Sequence, residues 1–98
     1  MHELRFTWDP RKNLASKRKH GVSFEEARTV FSDEHALLIA DPNHSAGEDR
    51  FVLLGLSSLL RILVVCHFYR ESDEVIRIIS ARKANVSERA QYARKWAP

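Results

Sequence analysis

Three cations crowd the end of an apolar strand. In Val75-Ile76-Arg77-Ile78-Ile79-Ser80-Ala81-Arg82-Lys83-Ala84, Arg77 lies inside the apolar run while Arg82 and Lys83 close it. A guanidinium at such a place serves chemistry or an anion, because an unpaired charge is costly to withdraw from water. A second basic block, Arg11-Lys12 and then Lys17-Arg18-Lys19-His20, lies near the start, so two distant stretches can build one cationic surface. Residues 10–20 hold five Lys or Arg and no acid, whereas residues 32–49 hold five acids and no Lys or Arg. That segregation says more than the net charge of +3. It suits a polyanion such as nucleic acid, and equally a partner protein of opposite charge.

The residue types narrow the chemistry. The five His have no i,i+4 pairing around a carboxylate and Cys66 stands alone, so no metal motif is present. There is no Gly-rich phosphate loop and no nucleophile elbow, which disfavours nucleotide-cofactor enzymes and serine hydrolases. No cofactor is expected. Acid, base and cation remain. RNA cleavage without metal needs a base for the 2′-hydroxyl proton, donors for the charge on the phosphorane, and an acid for the leaving 5′-oxygen. Arg is the favoured charge stabiliser, since its planar fork matches phosphate oxygens, and His titrates near neutrality.

Each candidate also has an ordinary role. Arg77 can snorkel from its strand or pair with Glu25 or Glu26. Lys19 and His20 complement the negative end of a helix. His67, in an apolar strand, reads first as a hydrogen-bonded core histidine, Tyr92 as a helix core residue, and Glu48 as a solvated loop acid. Arg82, at a strand end where sites tend to be built, is the stronger functional candidate.

The elements that must position these groups follow from pattern. Leu4 to Trp8 alternates as a strand. Asp9-Pro10 starts a helix that Gly21 ends, with little apolar in it besides Leu14 and Ala15, so its basic residues should lie in water. Ser23-Phe24-Glu25-Glu26 predicts a capping box for a core helix carrying Phe24, Ala27, Val30 and Phe31. Ala36 to Ala40 is a short apolar run before a polar loop over 42–49. Strands are predicted at Arg50–Leu56, Leu60–Tyr69 and Val75–Arg82, joined by hairpins at Ser57-Ser58 and Arg70–Asp73, and Asn85 to Glu88 caps a last helix. If both hairpin loops are even, Arg50, His67, Tyr69, Ser80 and Arg82 share one sheet face, and Phe51, Cys66, Phe68 and Arg77 the other. The expected fold is α+β: an antiparallel sheet of about four to six strands packed by two N-terminal helices and one C-terminal helix.

Size and composition bound the rest. At 98 residues, 44% apolar and 30% charged, the chain is one globular domain over 1–98. The lone Cys66 can form no internal disulfide, no apolar stretch approaches the roughly 20 residues of a membrane span, and no signal-peptide core is visible at the start. The cytoplasm is the expected compartment, with no membrane partner.

Several spaced motifs in one order carry a resemblance. Phe6-Thr7-Trp8-Asp9-Pro10 with Lys12-Asn13, Lys19-His20-Gly21-Val22-Ser23-Phe24-Glu25-Glu26-Ala27, Val30-Phe31-Ser32-Asp33, Glu48-Asp49-Arg50-Phe51, Leu54-Gly55 and Ile76 to Ala84 closely resemble the BrnT family of bacterial toxins. The resemblance implies the toxin of a type II toxin-antitoxin system: a RelE-like, metal-independent ribonuclease that blocks translation and growth. It implies a cognate BrnA-type antitoxin, assembled with the toxin as a heterotetramer, through which alone operator DNA is bound. Carried over motif by motif, it makes Lys19, His20, Glu48, Arg50, Arg77 and Arg82 the expected catalytic set. Arg82 and Arg50 would take the scissile phosphate, Arg77 would support them, Lys19 would stabilise charge, and His20 or Glu48 would act as acid or base. Arg11, Lys12, His67, Lys83 and Tyr92 are the expected RNA contacts. The competing expectation is a non-catalytic basic module that holds nucleic acid or a partner protein with the same cations.

Overall fold

The computed structural model describes residues 4–40, 50–70 and 74–96. The elements are β1 (Arg5–Thr7), α1 (Pro10–His20), α2 (Phe24–Thr29) with a 3-10 turn at Val30–Ser32, β2 (Leu37–Ala40), β3 (Phe51–Leu56), β4 (Ile62–Arg70), β5 (Val75–Lys83) and α3 (Val86–Trp96). They form one five-stranded sheet in the order β1-β5-β4-β3-β2. The sheet is mixed, not antiparallel, because β1 lies parallel to β5 while every other pair is antiparallel. Hairpins force antiparallel neighbours; β1 reaches β5 only after two helices and three strands, a connection long enough for a parallel pair.

The first helix begins and ends on the residues that chemistry requires. Asp9 accepts the Arg11 N–H, Pro10 opens the helix, and Gly21 closes it at φ 68° with its N–H on Lys17 O. Its buried side chains are polar, Asn13 and Ser16, while Leu14 faces solvent. The Asn13 amide accepts from Phe24 N at 2.8 Å and donates to Glu25 at 2.9 Å. Ser16 Oγ shares its proton between Val22 O at 2.7 Å and Ala81 O at 3.1 Å. Hydrogen bonds to α2 and β5 therefore dock α1 where an apolar stripe is missing.

Only half of the predicted capping box at Ser23 forms. Ser23 accepts the Glu26 N–H, but the Glu26 carboxylate, 6% exposed, turns to Arg61 and to Ser57 Oγ at 2.7 Å. Burial raises its pKa, yet the Arg61 and Ser57 bonds win and hold it below the usual value. The reciprocal box is at α3, where Asn85 and Glu88 cap each other at 2.9 and 2.8 Å.

Phe24, Ala27 and Val30 pack with Leu53, Leu63, Val65, Ile76, Ile78 and Ala81 on one face of the sheet. Tyr92 of α3 packs with Leu54, Val64 and Ala84 on the other. Asp33, at the edge of β3, joins both layers: Oδ2 accepts Leu56 N at 2.8 Å and the Tyr92 hydroxyl at 2.6 Å, and Oδ1 accepts His35 N. Burial opposes these bonds but does not cancel them, so the Asp33 carboxyl stays below its ordinary pKa.

Register departs from the even-loop expectation twice. Leu56 pairs with Ile62, so the β3–β4 loop is the five residues 57–61, and Leu60 belongs to it at φ 61° instead of opening the strand. A bulge then lets His67 pair with Ile78 but Cys66 with Ser80, leaving Ile79 as the extra residue. The predicted face grouping is therefore wrong. His67 and Tyr69 share the helix-covered face with Phe51, while Cys66, Phe68, Arg77, Ser80 and Arg82 share the α3 face. Alternation from Phe51 carries Arg50 to that same face. An odd loop and a bulge each invert parity, and for Arg50 against Arg82 the two inversions cancel.

A Cβ on Gly55 would meet Val30 Cγ1 at 2.8 Å, Ala36 Cβ at 3.0 Å and Asp33 Oδ2 at 3.1 Å. Gly55→Ala is expected to destabilise by about 1–3 kcal/mol through overpacking, read from the midpoint of urea unfolding. Burial first, and the bond to Asp33 second, push the Tyr92 phenol up to about 12. The folded state then binds that proton more tightly than the unfolded chain, whose tyrosine titrates near 10. This contribution to stability is complete below about pH 10 and is lost as the pH rises to about 12. An ultraviolet titration should show one tyrosine transition near 12 that Tyr92→Phe removes.

Candidate functional site

Two cationic groups lie along β5, one beside residues 79–81 and one on the sheet face that carries Arg77. β1 covers β5 only over Val75–Arg77, and beyond it α1 lies alongside. The helix positions Lys12, Ala15, Ser16, Lys19 and His20 recur at spacings of three and four, so one face of α1 turns toward Ile79, Ser80 and Ala81. Between them lies a groove of about 280 Å³ with a mostly apolar lining. Ser80 contributes to this groove and also stands on the sheet face that carries Arg77 and Arg82. Along β5 it is three residues from Arg77 and two from Arg82, or about 10 and 7 Å at the strand rise.

The second group surrounds Phe68. Arg77 is its partner on β5, and extension of the β3–β4 ladder sets Arg50 opposite it on the other side. The two lie about 10 Å apart at strand spacing. The Arg70 guanidinium carbon sits 4.9 Å from the Phe68 ring centroid. Arg50 Nε is enclosed without a hydrogen-bond partner. Neither Arg50 nor Arg77 has an ion pair among the described residues. Buried donors rarely stay unsatisfied, which marks Arg50 Nε as a place where an acceptor would be favourable.

Arg82 is placed differently from expectation. It holds Glu88 with two parallel bonds of 2.8 Å and so locks the first turn of α3 to the end of β5. Those bonds raise the pKa of Arg82 and lower that of Glu88. His67 and Tyr92, expected as RNA contacts, lie buried in the core. His67 is fully buried among Phe31, Phe51 and Tyr69, its Nδ1–H directed to Val65 O at 3.2 Å and Nε2 accepting from Tyr69 at 3.3 Å. Burial lowers its pKa and keeps it neutral. Tyr92, 3% exposed, serves Asp33. Arg11 and Lys12 are exposed on α1, and Lys83 is exposed at the end of β5. Glu48 lies outside the described residues.

Arg70, Ser80 and Ile79 were not singled out from the sequence. Arg70 follows Phe68 by two and would have shared its face had the strand been drawn one residue longer; only the bulge brings Ser80 and Ile79 to the groove. A larger concavity, about 760 Å³, lies elsewhere, lined by Leu4, Phe6, Arg28, Phe31 and Leu56 among others, and none of the expected site residues lines it. Among the described residues no three His, Cys, Asp or Glu side chains come together as a metal site.

A search of the curated proteins finds no match. Among solved structures, that of the Brucella abortus ribonuclease toxin, BrnT, aligns with a TM-score of 0.63 at 23% identity, covering 84% of this chain and 97% of that one, which shows a shared fold. The family model described as "Ribonuclease toxin, BrnT, of type II toxin-antitoxin system" matches residues 8–88, from Trp8 beside α1 to the Glu88 that Arg82 grips. The chain therefore belongs to the BrnT family of ribonuclease toxins of type II toxin-antitoxin systems.

Proposed function

We propose that this chain is an endoribonuclease that cuts RNA without a metal ion, thereby blocking translation and growth, and that a BrnA-type antitoxin silences it. The observation that carries the reading is the placing of Ser80, which lines the groove together with Lys19 and His20 and stands on the same sheet face as Arg77. A phosphodiester laid across the strand there is within the compass of both groups. Arg77 and Lys19 stabilise the charge that builds on the phosphorane, and Arg50, across Phe68, takes a neighbouring phosphate. His20, or Glu48 from the adjoining segment, removes the 2′-hydroxyl proton or protonates the departing 5′-oxygen. The 2′-oxygen then forms its bond to phosphorus as the bond to the 5′-oxygen breaks. Arg82 acts through Glu88 as a positioning residue that fixes α3 and the strand end.

The antitoxin reading rests on the family and on charge. A heterotetramer with an antitoxin that alone contacts operator DNA is its fullest form, and the cytoplasm is the compartment it requires. No helix among the described residues is long and apolar enough to cross a membrane. The pairing of Arg82 with Glu88 favours the rival reading, a basic module that binds without cutting, since it withdraws one expected phosphate ligand.

Purified chain incubated with RNA, with and without ribosomes and with EDTA present, separates the two. Cleavage that survives EDTA is expected. Arg77→Ala should reduce it by about 10²-fold or more while RNA binding falls far less; an intact, antitoxin-free protein that binds RNA and never cuts it supports the module. Growth arrest on expression, relieved by the neighbouring reading frame, is the cellular counterpart. Arg82→Ala and Glu88→Gln should each lower thermal stability by a similar small amount, up to about 1 kcal/mol, whereas Arg77→Ala should leave it unchanged. Equal melting temperatures for all three would remove the positioning role from Arg82.

A further inference from the structure

We infer that the groove between α1 and β5 is a subsite for one unpaired nucleobase, so that the enzyme reads RNA as single strand. This rests on the ribonuclease reading above and deepens it. The lining is mostly apolar and includes Ala15, Phe24 and Ile79, and the side chains that share it include Lys12, Lys19 and His20. Neither lysine forms an ion pair among the described residues. A nucleotide has this same division: flat, weakly hydrated base faces beside a phosphate charge.

Size agrees with the assignment. At about 280 Å³ the groove is at the lower limit of small-ligand pockets, room for one heterocycle and not for a stacked pair. A base within a duplex is stacked on both faces and cannot enter, whereas in a single strand it swings out at the cost of local unstacking. Ser80 lines the groove and shares its sheet face with Arg77, so a base held there would carry its own phosphate toward the strand between Lys19 and Arg77. The extra residue of the bulge, Ile79, forms one wall, and Ser16 holds the opposite wall in place through Ala81 O.

The test uses fluorescence anisotropy with three labelled RNAs of equal length: an unpaired strand, the same strand without its bases, and a full duplex. The wild-type chain should bind the unpaired strand at least tenfold more tightly than the abasic one and should cleave it faster than the duplex. Ala15→Phe fills the groove and keeps every cation; it should abolish the preference for bases while leaving the affinity for abasic RNA unchanged. Leu14→Phe, an aromatic on the solvent-facing side of α1 and outside the groove, should behave as wild type, and matching circular dichroism shows that both variants are folded. Equal binding of base-bearing and abasic strands by wild type would overturn the subsite and leave the nuclease standing. So would an Ala15→Phe variant with undiminished preference for bases, or one that loses only its grip on the antitoxin. A wild-type chain that binds no RNA at all would remove the nuclease reading and the subsite together.

Discussion

One extra residue in β5 decides which side chains this protein can use. Along an uninterrupted strand, Ile76 and Ile78 in the core would commit Ser80 and Arg82 to the core as well, and would expose Ala81. The bulge at Ile79 reverses the alternation. Ile76, Ile78 and Ala81 are all buried on the helix-covered face, while Arg77, Ser80 and Arg82 stand on the other. The same step frees Ile79 to line the groove against α1. Bulges re-aim side chains beside sites, and here one device serves the core and the cationic surface together.

A small domain with few large apolar side chains on its first helix needs another way to hold that helix, and the answer is polar. Asn13, Ser16, Glu26 and Asp33 are each buried or half-buried, and each accepts or donates bonds that cross between elements. Losing a partner in such a set leaves a buried group unsatisfied, at a cost of about 1–3 kcal/mol. These bonds have direction, which apolar packing lacks. They set the rotation of α1 about its axis, and therefore which of its cations face β5 and which face open water. Much of the motif pattern shared with the family is this framework: Asn13, Gly21, Glu26, Asp33 and Gly55 support the fold and do not touch the proposed substrate.

Local chemistry was therefore legible and long-range parity was not. The caps Asp9-Pro10 and Gly21, the start of α2 at Ser23, the strand nature of residues 62–70 and 75–83, and the cap at Asn85 could all be read from neighbouring residues, because each depends on backbone groups within a few positions. The five-residue loop, the bulge and the parallel seat of β1 depend on what lies across the sheet. Each changes parity or direction without leaving a Gly-Asn or Gly-Pro signal; Leu60 occupies the left-handed position that a glycine would have announced. That is why local pattern puts His67 and Tyr69 on the face opposite Phe51, where the register does not, and why it gives no sign that His67 and Tyr92 lie in the core.

Arg82 shows why residue type and position in a motif do not settle a role. Arg77 and Arg82 stand on the same strand and the same face, yet one is without an ion pair among the described residues and the other holds Glu88 with both ends of its fork. A bidentate pair fixes geometry more firmly than it adds energy at a half-exposed position. What Arg82 secures is the junction of β5 with α3, whose Tyr92 in turn anchors Asp33 and the edge of β3. A chain of contacts thus runs from the far end of β5 to the end of β3. Arg77, whose strand neighbours are Phe68 and Thr7, meets no side chain there that can neutralise it.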